Sequence, residues 1–211
     1  MTLPIEPPRP QRAERADAAR NRARVLAAAA ELFRRRDPRS VTMDDVAKAA
    51  GVGRATLYRR YPDVGSIAEA LLGEYEYQLQ EQLLRGEPPL GPGPASAPGT
   101  APAPRPAERL AAFYAAMVAM LEEHLPLMLG ADAGATRLAI GTYRFWWAHV
   151  RSLVVAAGAT DDPDALVDAL LAPLAAEVYQ HQREQLGLSP ERIAAGLRLL
   201  ASRTLGDRPA T

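Results

Sequence analysis

Apolar residues recur at steps of three and four along most of the chain, the spacing that places side chains on one face of a helix. The first such run lies near the amino terminus and comprises Val25, Leu26, Ala29, Leu32 and Phe33. It predicts a helix over about residues 16–36. Asp37-Pro38 should end this helix, because a residue before proline avoids the helical region. No segment alternates apolar and polar residues convincingly with a period of two, so we expect an all-α protein.

Helix-starting residues mark two further helices. Thr42 and Asp45 fit a capping box, in which side chains satisfy the free backbone N–H groups at a helix start, so a second helix should begin at Thr42. Ser189 followed by Pro190 also predicts a helix start, since proline suits the first helical position. Pro173 should kink the helix that contains it. The other predicted helices span residues 64–84, 109–125, 132–157, 163–186 and 189–205.

Proline-rich stretches divide the chain into segments. Residues 86–107, GEPPLGPGPASAPGTAPAPRPA, contain eight prolines and predict an extended, mobile linker. Residues 1–15 are rich in proline and arginine and predict a disordered basic arm. Between and after them lie a helical head at 16–62, a connecting helix at 63–85 and a helical body at 108–206.

The stretch VTMDDVAKAAGVGRATLYRRYP, residues 41–62, places Gly-Val-Gly between two short helical patterns. Gly51 suits the left-handed residue that ends a helix, because glycine takes positive φ at little cost. The chain restarts as a helix at Gly53, and Leu57 and Tyr61, four residues apart, should face the core. The remaining positions form an exposed polar and basic face, which consists of Arg54, Ala55, Thr56, Tyr58 and Arg59.

Two helices joined by a tight turn, the second with a basic outer face, make the helix-turn-helix motif that enters a DNA major groove. An ordinary helical hairpin with a solvated charged face is the alternative. A nucleotide-binding glycine loop is excluded, since Thr56 stands where the third glycine would be and a helix, not a strand, precedes the motif.

The charge distribution favours the DNA-binding interpretation. Residues 1–62 carry 14 Lys and Arg against 7 Asp and Glu, a net +7, whereas residues 63–211 carry 11 against 18, a net −7. A basic head on an acidic body indicates that the head meets a polyanion, with chance clustering of surface charge as the alternative. Lys48 is the only lysine, so arginine here is weaker evidence for paired hydrogen bonding than usual.

The segment TMDDVAKAAGVGRATLYRRYPDVGSIAEALL, with RVLAAAAELFRRRDPRSVT before it, resembles the DNA-binding region of the TetR family of bacterial transcriptional regulators over about residues 20–72. The resemblance implies a three-helix head, a connecting helix, a ligand-binding helical body and a homodimer on a near-palindromic double-stranded operator. The sequence departs from the family at Gly53, where Ser or Thr is common, at Tyr61, where Phe is usual, and in lacking a lysine at the start of the fourth helix.

The resemblance also assigns contacts to DNA. Base reading falls to Arg54, Ala55, Thr56 and Tyr58, of which Arg54 suits paired hydrogen bonds to guanine. Contacts to phosphate fall to Thr42, Tyr58, Arg59, Arg60 and Tyr61. Arginines of the amino-terminal arm could follow the DNA backbone, or simply solubilise the tail.

Aromatic residues cluster on two predicted body helices, as the wall of a small-molecule cavity requires. The candidate effector-binding residues are Phe113, Tyr114, Met117, Met120, His124, Tyr143, Trp146 and Trp147. Plain core packing is the alternative for each of them. The expected effector is apolar or aromatic. The last two helices carry apolar stripes without aromatic residues and should pair between subunits.

Other function classes find little support in the sequence. The chain has no cysteine and three widely spaced histidines, and no hydrolase or nucleotide-binding motif occurs. We therefore expect no enzyme activity, no metal and no cofactor. No run reaches roughly 18 uninterrupted apolar residues, which predicts no membrane span, and the amino terminus lacks the apolar core of a signal peptide. A cytoplasmic, ligand-released repressor is expected; a DNA-binding dimer whose body senses nothing is the alternative.

Overall fold

A computed structural model describes residues 11–37, 40–93, 103–130 and 141–206. The described residues form α-helices and no strand. The helices are α1 Gln11–Arg35, α2 Met43–Ala50, α3 Arg54–Arg60, α4 Val64–Arg85, α5 Pro106–Gly130, α6 Gly141–Ala156, α7 Pro163–Leu171, α8 Ala176–Glu184 and α9 Pro190–Leu205. The all-α prediction is confirmed.

The chain divides into two compact units, Met1–Leu71 and Leu72–Thr211. In the first unit α1 packs on α2, and α2 on α3. The fully buried positions of this small core are Ala29, Val46 and Ile67, and Leu57 is 2% exposed. Ala29 and Leu57 belong to the apolar faces that the spacing of the sequence predicts.

Helix α1 begins at Gln11, five residues before the predicted start. The prediction of disorder is therefore wrong for residues 11–15, where the run QRAERADAAR contains good helix formers and no proline. The rest of the predicted arm, residues 1–10, lies outside the described part of the chain.

The segment after α4 is only partly the extended linker that its prolines predict. Residues 86–93 turn back on themselves, with the Gly91 amide donating to the Glu87 carbonyl at 3.0 Å and the Gly93 amide donating to the Gly86 carbonyl at 3.1 Å. Leu90 packs against the core of the second unit. Helix α5 starts at Pro106, three residues before the predicted start of this helix at residue 109. Residues 94–102 lie outside the described ranges.

Helix α5 is the central helix of the second unit and packs against α6, α8 and α9. Its non-helical backbone at His124 (φ −124°, ψ 15°) and Pro126 two residues later mark a kink. By length and composition alone, residues 106–129 could cross a membrane. The same stretch buries Leu110 and Phe113 completely in the unit's core, as an apolar core helix does.

The predicted helix over 163–186 is broken rather than kinked. Helix α7 ends at Leu171, a 3-10 turn covers Ala172–Leu174, and Ala175 is extended (φ −63°, ψ 136°) before α8 begins. Pro173 inside the short turn supplies no N–H, which prevents one continuous helix. The predicted 132–157 helix is described only as α6, since residues 131–140 lie outside the described structure.

Candidate nucleic-acid interface

Helix α2 begins with the predicted capping box. The Asp45 amide donates to Thr42 Oγ1 at 3.2 Å, and the Thr42 amide donates to Asp45 Oδ2 at 3.0 Å. The Thr42 hydroxyl donates to the same carboxylate at 2.8 Å. These hydrogen bonds, led by the one from the Thr42 backbone, lower the pKa of Asp45 below its ordinary value. The only hydroxyl proton of Thr42 is thus occupied, which weakens its assignment as a donor to phosphate.

The turn between α2 and α3 is a Schellman motif. Gly51 takes the left-handed conformation (φ 61°, ψ 39°), the Val52 amide donates to the Ala47 carbonyl at 3.1 Å, and the Gly51 amide donates to the Lys48 carbonyl at 3.3 Å. The Arg24 guanidinium of α1 donates to the Gly51 carbonyl at 2.9 Å. Arg24 therefore fixes the turn from outside the motif, a role that the sequence pattern did not indicate.

Helix α3 starts after Gly53, which is extended and offers no side-chain cap. The α3 residues that were predicted to contact bases or phosphates have exposed side chains: Arg54, Ala55, Thr56, Tyr58, Arg59 and Arg60. Leu57 on the opposite face is 2% exposed. One apolar anchor thus holds the helix while six neighbouring positions face solvent, the arrangement that a recognition helix requires.

Tyr61 lies in the core of the first unit. Its side chain is only 5% exposed, and Arg22 Nη1 donates to its hydroxyl at 3.4 Å. Two roles were predicted for this residue, a core anchor and a contact to phosphate. The structure places it as an anchor, so the proposed interface below does not include it.

Arg54, the candidate base reader, is held by a neighbouring acid. Its Nε lies 2.9 Å from Asp44 Oδ1, and both side chains are more than half exposed. The carboxylate fixes the guanidinium at the start of α3 but also competes with any DNA acceptor for its protons. Sequence analysis missed Asp44 because the residue precedes Arg54 by ten positions and meets it only after the turn has formed.

A groove of about 290 Å³ separates α1 from α3. Its polar rim is formed by Asn21, Arg22, Thr56, Arg59 and Arg60. Three guanidinium groups around a narrow groove favour anions through charge-assisted hydrogen bonds. Arg22 adds a cation of α1 to those of α3, and only the folded packing of the two helices reveals it.

The predicted effector residues are largely core in this conformation. Phe113 and Tyr114 are fully buried, and the Tyr114 hydroxyl donates to the Leu170 carbonyl at 2.9 Å. Met117, Met120 and Trp146 are between 5% and 8% exposed. His124 stacks on Tyr75 with ring centroids 3.8 Å apart.

Tyr143 and Trp147 are the two predicted effector residues that are only partly buried. The Tyr143 hydroxyl donates to Asp168 Oδ1 at 3.1 Å, and the Arg151 guanidinium lies 5.8 Å from the Trp147 ring. A cleft of about 650 Å³ in the second unit is lined by the ends of α5, α6 and α9 and by none of the predicted effector residues. Their role in effector binding therefore stays a prediction.

Helices α2 and α3 of the head, with the last part of α1, lie in the part of the chain that is similar to a known family. The sequence model of the bacterial regulatory proteins, tetR family, matches residues 25–71. Residues 25–71 match the TetR family. The resemblance inferred from the turn and the helix after it is thereby confirmed, and the TetR-family match contains the capping box, the Schellman turn and the whole of α3.

Curated relatives of this TetR-family head are themselves uncharacterized. Two HTH-type transcriptional regulators of Mycobacterium tuberculosis are 45% identical over 62 residues. That match spans 29% of this chain and 29% of each relative.

Solved structures share the fold over nearly the whole chain. Reduced NemR of E. coli aligns with a TM-score of 0.59 at 14% identity, covering 90% of this chain and all of NemR. NalD of Pseudomonas aeruginosa, described as the secondary repressor of the MexAB-OprM multidrug efflux pump, aligns with a TM-score of 0.57 at 17% identity over 89% of this chain and 97% of NalD. At such identities the likeness shows the fold alone, and that fold includes the helical second unit.

Proposed function

We propose that the protein is a sequence-specific DNA-binding transcriptional regulator that acts as a homodimer and is released from its operator by a small molecule. The observation that carries the proposal is the exposed face of α3, presented by the Gly51 turn within a TetR-family head. This face combines a candidate guanine reader, Arg54, with the aromatic Tyr58 and the cations Arg59 and Arg60.

The position of each residue along α3 indicates whether it contacts a base or a phosphate. Arg54, Ala55 and Thr56 lie in the first turn of α3, the part of a recognition helix that reaches base edges. Arg59 and Arg60 lie in its last turn, beside the groove shared with Arg22, and suit the phosphates that position the protein. Tyr58 is 45% exposed, and its rotamer decides between a base and a phosphate.

Self-association is supported by apolar side chains that the second unit leaves in solvent. On α8, α9 and the turn between them, Val178, Leu186, Leu199 and Leu200 are 36–57% exposed. Leu170 and Leu197, which belong to the apolar stripes predicted from the sequence, are instead buried within the unit itself. Pairing of α8 and α9 with a second copy would cover the exposed four and place two heads on the two halves of a near-palindromic site.

Effector release is the finer part of the proposal. Its support is a family likeness and an aromatic core in the second unit, together with NalD, whose description as a repressor illustrates the activity within the fold. An effector that binds the body differently in the free and DNA-bound states shifts binding by a coupling of about 1–3 kcal/mol. The alternative is a DNA-binding dimer whose body only dimerises.

Selection from a random duplex pool tests the core of the proposal. The full chain should enrich a two-part site whose halves are related by a twofold axis and lie about one helical turn or slightly more apart. Enrichment of a single half-site would contradict the dimer, and no enrichment over the input pool would contradict sequence-specific binding.

A further inference from the structure

Two partly buried polar side chains in the second unit, Arg109 and His149, each carry a buried nitrogen atom with no role in the function proposed above. Arg109 Nε and His149 Nε2 are both buried, and neither atom has a hydrogen-bond partner within the described structure. Such buried polar atoms are rare in folded proteins, because leaving one unpaired costs most of the free energy of its desolvation. These two nitrogen atoms therefore suggest a bound ligand that could form hydrogen bonds with them.

Arg109 lies on α5 and His149 on α6, two helices that pack together. Arg109 lies in the first turn of α5, and Phe113 follows four residues later on the same face. The Phe113 ring centroid lies 5.4 Å from that of His149 on α6 and 5.8 Å from that of Trp146. The Arg109 charge acts on His149 directly, and after burial it is the second cause that lowers the pKa of His149, to about 4.

The charge of Arg109 is not balanced by an acid in the described part of the chain. Glu108 beside it is committed elsewhere, because its Oε1 accepts from Arg105 Nε at 3.1 Å and its Oε2 accepts from the Arg105 amide at 3.0 Å. His149 is neutral near pH 7, so it offers no negative charge. The start of α5 adds the positive end of the helix dipole. An uncompensated cation in this position favours an anion.

We propose that Arg109 and His149, with the Phe113 ring beside them, form a subsite for the carboxylate of an organic-acid effector. A monoanion balances the single guanidinium, whereas a dianionic phosphate would leave one charge uncompensated. A carboxylate accepts hydrogen bonds from a guanidinium and from the N–H of a neutral imidazole. The neighbouring Phe113 and Trp146 rings suit an apolar body behind the carboxylate. This inference rests on the proposed function, in which the body carries an effector.

Calorimetry and thermal unfolding of the full chain with benzoate, and with benzamide as its neutral isostere, test the subsite. Benzoate should bind and stabilise, and benzamide should not. Arg109→Met should weaken benzoate binding at least about tenfold, since a charge-assisted hydrogen bond is lost, and His149→Phe should weaken it severalfold. Arg109→Met should still fold, because apolar replacement of a buried charge is often neutral or stabilising. Arg144→Met, an exposed position on α6, is the matched control.

Equal binding of benzoate and benzamide would overturn the proposal and indicate that water alone satisfies the two nitrogens. No binding of benzoate up to about 10 mM, beyond the reach of one weak contact, or unchanged binding by Arg109→Met, would also overturn it. Duplex affinity measured without benzoate separates the two claims. If the wild-type protein does not bind duplex DNA, the proposed function is refuted. If it binds duplex DNA but not benzoate, only the subsite is refuted.

Discussion

At the scale of single residues, Arg54 carries the most specific claim, because it combines exposure, a place in the first turn of α3 and an acid partner. Arg54→Ala should relax preference at one base pair of each half-site by about 1–3 kcal/mol, the discrimination of one paired contact to guanine. The affinities of the wild type and of Arg54→Ala for a set of single-base operator variants measure this preference. Uniform weakening on all of them would contradict a base-reading role and indicate a phosphate contact.

Asp44 provides a second residue-scale prediction. Because its carboxylate lies 2.9 Å from Arg54 Nε, Asp44→Asn should remove both a negative charge that repels DNA and a restraint on the guanidinium. We expect higher affinity for random duplexes and a smaller ratio of operator to random affinity. Titration of both duplexes by fluorescence anisotropy measures the ratio. An unchanged ratio would show that Asp44 does not position Arg54.

Arg60 tests the phosphate contacts. Arg60→Ala should reduce affinity on every sequence and flatten the slope of log affinity against log salt by about one unit per bound protomer, because each protomer then releases one fewer counterion. Arg85→Ala, an exposed arginine at the end of α4, is the control and should leave the slope unchanged. An equal slope for wild type and Arg60→Ala would remove Arg60 from the interface.

At the scale of elements, the turn between α2 and α3 depends on one glycine and tolerates change at another. Gly51→Ala should destabilise the protein by about 1–2 kcal/mol, since a side chain is strained in the left-handed conformation, and a new Cβ would also meet Arg24 Nη2 at 2.7 Å. Gly53→Ser should instead stabilise by roughly a few tenths of a kcal/mol, because serine caps α3 and a Cβ there has room. Chemical denaturation of both variants and of the wild type measures these changes in the free energy of unfolding. Equal effects would contradict the assigned turn.

A carboxylate joins α5 to α8 and gives the second unit a pH dependence. Glu122 accepts from Arg183 at 2.9 and 3.0 Å and from the Tyr179 hydroxyl at 2.6 Å, and these bonds, led by those of Arg183, lower the pKa of Glu122. Because the folded pKa is depressed, the stabilisation is present above the ordinary pKa of about 4.5 and is lost as pH falls through the folded value. Glu122→Gln should cost about 1 kcal/mol at pH 7.

The stability difference between wild type and Glu122→Gln, measured by denaturation across pH, should hold steady near neutrality and shrink below about pH 4.5. Glu177→Gln, at an exposed position on α8, should show neither the loss nor the trend. A difference that stays constant down to pH 3 would refute the linkage.

Local signals predicted elements well, and contacts distant in sequence escaped prediction. The capping box of Thr42, the Gly51 turn and the Ser189 cap each depend on residues within a few positions of one another, so the sequence displays them. The His124 kink, the complete break after Leu171 and the burial of the candidate effector residues depend on how helices pack. Periodicity cannot distinguish an aromatic residue that lines a cavity from one that fills a core, as Phe113 shows.

At the scale of the whole molecule, the chain contains a head that matches the TetR family and a helical unit with exposed apolar residues on α8 and α9. Leu199→Glu with Leu200→Glu should place charge in the proposed pairing surface and convert dimers to monomers. Sedimentation equilibrium reports the mass. The control is Val155→Glu, 55% exposed near the end of α6, which should stay dimeric. Monomeric wild type, or an unaffected double variant, would contradict pairing through α9.

The most direct test of the account is the affinity of the full chain for its selected duplex and for a shuffled duplex of equal length and composition, both measured by anisotropy at 150 mM salt. The account predicts binding of the selected site at least about 10³-fold tighter, with two protomers bound per duplex. Equal affinity for the two duplexes would contradict the central claim that the exposed face of α3 reads sequence.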